Sequence, residues 1–261
     1  MSKFSLRLAA ATLAVSAILT ATQALATHSW AGYHWARSSN PFTLKIGDNL
    51  SSAWDPYLAT TSSDWSLSSI LDTVIVPGLG GRNCRATAGR VEVCNSKYGK
   101  TGWLGIASVW ASGQHITQGT VKLNDTYFST AAYNTPAWKN LVTCQEVGHT
   151  FGLDHQDEVF TNAPLGTCMD YTNDPTPNQH PNLHDYDMLE EIYAHLDATS
   201  TIAASTSTSA AFDGSVDHAN PASWGKEVRR SADGRTSLHS KDLGNGEQVF
   251  TFVIWADAES K

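Results

Sequence analysis

Residues 145–155 read Gln145-Glu146-Val147-Gly148-His149-Thr150-Phe151-Gly152-Leu153-Asp154-His155, and their spacing decides the fold. On an α-helix, residues three and four apart share one face, so Gln145, Glu146 and His149 project together. Gly152 lets the backbone turn sharply where the helix stops, and that turn brings His155 round toward the same point. Two imidazoles, one amide oxygen and one carboxylate then converge, a donor set suited to zinc with a position left for water. Upstream, Thr135-Pro136 marks a helix start with proline at the first helical position. The helix is expected from about Ala137 to about Phe151.

The segment resembles the metzincin signature H-E-x-x-H-x-x-G-x-x-H, with Gln145 standing where that pattern has its first histidine. Downstream, Thr167-Cys168-Met169-Asp170-Tyr171 resembles the Met-turn of the same peptidases, with Met169 fourteen residues after His155. The likeness spans roughly residues 100–196. Gln156, after the last ligand position, matches no particular metzincin group, so the chain is matrixin-like or serralysin-like only in a loose sense.

The resemblance implies an α+β fold: a twisted, mostly parallel sheet with an antiparallel edge strand, a zinc-site helix, a Met-turn and a C-terminal helix. It also implies a secreted zinc-dependent endopeptidase acting on protein or peptide substrates. Gln145, His149 and His155 would ligate Zn2+, and Glu146 would be the general base toward a zinc-activated water. Tyr171 would reach the metal and help stabilise the oxyanion, with a hydrogen-bonded core tyrosine as the other reading of that position. Met169 would form an apolar floor. Leu104 to Val109 would be the substrate-facing edge, pairing with an extended peptide by strand addition.

An amide oxygen is neutral and a weaker zinc donor than imidazole, so position 145 carries three readings. Gln145 is a third ligand in a working enzyme; or His180, His184 or Asp154 takes its place; or the site no longer turns over, leaving an extracellular peptide- or ligand-binding protein.

Around this centre the strands read as follows. Phe42 to Ile46 alternates in polarity and reads as a first strand. Trp65 to Val76 fits a helix or a strand. Residues 77–101 read as loops, with Cys84 and Cys94 pinching a hairpin around Val91–Val93. Trp103–Trp110 and Gly119–Asn124 read as antiparallel neighbours. A second helix is expected from roughly Leu183 to Leu196, its acidic first half suiting the helix dipole. Residues 198–211 are Ala, Ser and Thr with one Ile, a linker composition. Val249–Trp255 in the extension 212–261 is a strong strand, expected to pair with Glu227–Arg230 or Leu238 as a small β-rich unit.

Lys3 and Arg7, an apolar run to Leu25 and the small-x-small Ala24-Leu25-Ala26 read as a cleaved export signal over 1–26, which leaves 27–197 as the catalytic domain. Without Lys3 and Arg7 the chain carries 15 basic against 25 acidic residues, a balance that repels phosphate backbones and argues against nucleic acid. No membrane partner is expected after cleavage, and the expected state is a monomer. The four cysteines, Cys84, Cys94, Cys144 and Cys168, imply disulfides in an exported chain. Three pairings are possible, and proximity favours Cys84–Cys94 with Cys144–Cys168. His28, His34 and His115 read as exposed or ordinary loop histidines.

Overall fold

The computed structural model describes residues 27–202 and 216–257. The expected signal over 1–26 and residues 203–211 of the expected linker lie outside them. In chain order the elements are β1 (His34–Trp35), β2 (Phe42–Asn49), α1 (Asp55–Trp65), β3 (Leu71–Pro77), β4 (Arg90–Ser96), β5 (Trp103–Ser112), β6 (His115–Asn124), α2 (Asp125–Phe128), α3 (Pro136–His149), α4 (Leu183–Ile192), β7 (Lys226–Arg230), β8 (Thr236–Gly244) and β9 (Glu247–Trp255). The ambiguous stretch 65–76 thus resolves into the end of one helix and most of a strand.

The class is α+β with one mixed sheet, ordered β3-β2-β4-β6-β5-β9-β8-β7, and β1 pairs beside β6. Strands β3, β2, β4 and β6 run parallel to one another, and β1 is parallel to β6. From β5 onward every pairing is antiparallel. The expectation of a mostly parallel sheet ending at an antiparallel edge is therefore corrected: β5 is antiparallel but interior. Likewise β4 is no hairpin arm; it lies between β2 and β6, with Val91 and Val93 fully buried.

The reason lies in β9, whose two faces are both apolar. Phe250, Phe252 and Ile254 join the core on the helix side, while Val249, Val253 and Trp255 join a second cluster with Trp103, Ile106, Trp110 and Trp224. A strand apolar on both faces needs cover on both. Pairing β9 with β5 supplies it, and β8 and β7 complete the sheet beyond.

Helix α3 starts as the sequence suggests: Thr135 caps it by accepting from the Trp138 amide, with proline next. It packs against β5 and β6, and α1 packs against α3. Gly152 has φ +97°, and a Cβ there would lie 2.2 Å from the Tyr33 carbonyl oxygen, so the bend after α3 requires glycine. Disulfides join Cys84 to Cys94 and Cys144 to Cys168. No helix among the described residues is long and apolar enough to cross a membrane.

Candidate metal centre

His149 is the last residue of α3, and the Gly152 bend returns the chain so that His155 faces it. The two Nε2 atoms lie 3.0 Å apart. His149 Nδ1 donates to the Leu153 carbonyl at 2.9 Å, which leaves its Nε2 bare while the ring is neutral. His155 Nδ1 is 2.8 Å from the Tyr171 hydroxyl. Burial, and then the neighbouring ring, holds His149 well below the usual histidine range, and burial lowers His155 to about 4. Both rings are therefore neutral at pH 7. Two bare lone pairs at this separation repel, so either one shared proton or a cation must bridge them.

The donor geometry fits a cation. Zinc bonds to nitrogen run ~2.0–2.1 Å, so tetrahedral ligand atoms sit ~3.3 Å apart, and ligating histidines have the other ring nitrogen held by a hydrogen bond. The second condition holds for both rings, and the 3.0 Å Nε2 separation is close to, though shorter than, that edge. Glu146 adds a second indication. It is 0 % exposed, and among the described residues neither carboxylate oxygen has a hydrogen-bond partner. Burial pushes its carboxyl well above the ordinary range, opposed by the Ala107 backbone, which stops short of full hydrogen-bond geometry. Gln145 is also buried, with its Nε2 unpartnered among the described residues. Orphaned buried polar atoms cost ~1–3 kcal/mol each, more when charged, and a metal with its water would relieve that cost.

Met169 is fully buried, and its Sδ would lie 2.6 Å from a Cβ built on Gly148, so the thioether packs directly on α3. The Cys144–Cys168 disulfide joins the same two segments, four residues before Gly148 and one before Met169. Tyr171 stands on the Nδ1 side of His155, orienting that ring from the side opposite its Nε2.

Of the residues weighed as substitutes for Gln145, His180 and His184 are engaged elsewhere, whereas Asp154 lies at the site, its Oδ1 3.4 Å from His155 Nδ1 and its carboxylate grouped with His155 and Glu158. His180 bonds Asp64 at 2.7 Å, and His184 stacks on His28. Arg229 of β7 bonds both Asp154 oxygens, at 2.7 Å to Oδ2, and its Nε reaches Glu158 at 2.9 Å. Against burial, hydrogen bonding to His155 and then to Arg229 holds Asp154 below the usual carboxylate range. His28 and His34, expected at the surface, are both buried, each bonded through Nδ1 to a backbone carbonyl.

Two contributors escaped the sequence reading: Arg229 and Phe252. Phe252 sits opposite Ala107 in the β5–β9 ladder and stacks on the His149 ring. The strand Leu104–Val109, expected as a free substrate edge, is instead paired with β9. The two-sided apolar pattern of Val249–Trp255 was the available signal, because such a strand cannot finish at a solvent edge.

Comparison with protein-family models and with curated proteins gives no match for this chain, so the site's own chemistry is the ground for a functional reading.

Proposed function

We propose that the chain is an exported zinc-dependent endopeptidase of the metzincin type whose own C-terminal strand occupies the place of an extended substrate. The carrying observation is the facing Nε2 pair of His149 and His155, with both Nδ1 atoms engaged; the buried, unpartnered carboxylate of Glu146, one helical turn before His149, adds to it. Two disulfides and the leader-like start support export.

His149 and His155 would hold the ion, with the Gln145 amide oxygen as third donor. Zinc there would supply Lewis acidity and lower the pKa of a water from 15.7 toward ~7. Glu146 would take that water's proton and pass it to the leaving amine. Tyr171 and the Leu153 carbonyl keep the imidazoles aimed. Substrate would pair with β5 once β9 gives way, because β9 already makes the antiparallel ladder a peptide would use.

That same ladder favours a second reading: a metal-holding protein without turnover, closed by its tail. One experiment separates the two. A site-specific protease sequence is placed within 203–215 and cut in the zinc-loaded protein, and cleavage of a denatured protein substrate is followed. On the peptidase reading, cutting with mild denaturant brings chelator-sensitive turnover that Glu146→Ala abolishes. If zinc binds, β9 is displaced as judged by hydrogen exchange, and no turnover follows, the closed reading stands.

A further inference from the structure

A second cluster of metal-binding groups lies where three distant segments meet: β1, the start of β6, and the chain just after α4. His34 Nε2 is 3.1 Å from His195 Nε2 and 3.5 Å from Asp197 Oδ1. His195 Nε2 is 3.7 Å from that oxygen, and His115 Nε2 is 3.2 Å from it. The ligand atoms of His34, His195 and Asp197 form one mutually close set. We propose that His34, His195 and Asp197, with His115 at their rim, bind a divalent transition-metal ion of the zinc type at a site separate from His149 and His155.

The arrangement is a built one. His34 is buried, and its Nδ1 donates to the Gly32 carbonyl at 2.8 Å, which fixes a bare Nε2 toward the cluster while the ring is neutral. That is how ligating imidazoles are held in metal sites. Asp197 is clamped from behind: Arg37 Nη1 bonds its Oδ2 at 2.9 Å and the Arg37 amide bonds it at 3.2 Å, which leaves Oδ1 aimed at the histidines. A bare imidazole nitrogen aimed at a carboxylate oxygen is repulsive without a positive charge between them. The observed separations straddle the ~3.3 Å edge of a tetrahedron built from ~2.0–2.2 Å bonds to nitrogen and oxygen. His195 and His115 have side chains 56 % and 38 % exposed, so an ion reaches the site from solvent, and water can complete its shell.

Imidazole and carboxylate donors suit zinc, with nickel and copper as chemical competitors. The ion would tie the mature N-terminal segment to the β5–β6 turn and to the end of the helical half. Its role would be to brace the fold, because the cluster holds no unpartnered acid or base to act on a substrate.

The test is metal stoichiometry of the full chain, stripped with chelator and titrated with Zn2+, with bound metal read by elemental analysis. The wild type is expected to take two equivalents. His195→Ala, an exposed position that leaves folding intact, should take one. The double variant His149→Ala/His155→Ala should still take one, and adding His195→Ala to it should leave none. A protonated histidine–aspartate cluster would instead give a His195→Ala protein that binds as much zinc as the wild type, or a folded double variant that binds none. Either result overturns the proposal, and neither depends on peptidase activity.

Discussion

The imidazole of His149 and the phenyl ring of Phe252 lie face to face, with centroids 4.1 Å apart and planes 10° from parallel. The ring is thus held from one side by its own helix and loop, and from the other by the last strand of the chain. Phe252→Ala removes that cover and leaves a cavity beside fully buried neighbours. Such a truncation costs ~3–5 kcal/mol, so the urea midpoint should fall clearly. Zinc release to a chromophoric chelator should also accelerate by tenfold or more at urea concentrations where the variant is still folded. Release at the wild-type rate would show that the ion's path does not run past β9.

The Cys144–Cys168 disulfide fastens α3 to the Met169 segment across a sequence separation of 24 residues. Closing a loop of that size stabilises by ~3 kcal/mol in the chain-entropy account. Replacing both cysteines with alanine should lower the thermal midpoint by several degrees and also weaken zinc binding at His149 and His155, because Met169 no longer presses on Gly148. The Cys84–Cys94 pair supports β4 on the other side of the sheet, so its removal should cost stability and leave that zinc affinity unchanged. Equal losses of affinity from both pairs would refute the local role of Cys144–Cys168.

How much of this was legible follows from where the information sits. Gln145 to His155 is one contiguous stretch, so helical spacing and a single glycine bend carried the reading, and His149 and His155 meet as the spacing required. In the parallel half, Phe42–Ile46 and Gly119–Asn124 announce themselves as strands, whereas β3 stood ambiguous between helix and strand and β4, buried along both its faces, read as a pinched loop. What could not be read locally was pairing across long separations. Val249–Trp255 is plainly a strand, yet nothing in its neighbourhood says that it lies on β5, more than a hundred residues earlier. The same holds for His34 and Asp197, 163 residues apart, whose meeting depends on how α4 ends against β1. Burial of His34 was missed for that reason: its covering residues are remote in sequence.

Docking of the tail should depend on pH through His218. Its Nδ1 accepts from Lys122 Nζ at 2.9 Å, its Nε2 meets Ser108 Oγ at 3.1 Å, and its carbonyl accepts from Trp103 Nε1 at 3.0 Å. Burial, and then the Lys122 charge, holds its pKa well below the ordinary value of 6.5. Below pH 6.5 the unfolded chain takes up a proton that the folded site refuses. This contribution is therefore complete above pH 6.5 and is lost as pH falls toward the depressed folded value, at up to ~1.4 kcal/mol per unit. Metal-free His149 and His155 have the same sign, so the informative comparison is with His218→Gln. Between pH 6 and pH 5 the wild type should lose about 1 kcal/mol more than that variant, with faster exchange at β9 amides. Parallel stability curves would remove His218 from the docking.

Position 145 decides whether the third donor belongs to the chain as it stands. Gln145 is buried with its amide nitrogen unpartnered among the described residues, an arrangement that costs stability unless the other end of the amide has a purpose. Two substitutions exploit this. Gln145→His offers an imidazole, a better zinc donor, and should tighten zinc binding by at least tenfold in a chelator competition. Gln145→Met removes both polar atoms while keeping similar length. It should stabilise the metal-free protein by about 1 kcal/mol and weaken zinc binding. If both variants bind zinc with wild-type affinity, the side chain at 145 does not face the ion. The site would then be a two-histidine centre, and its third ligand would have to come from another group; Asp154 and Glu158 are the carboxylates grouped closely with His155.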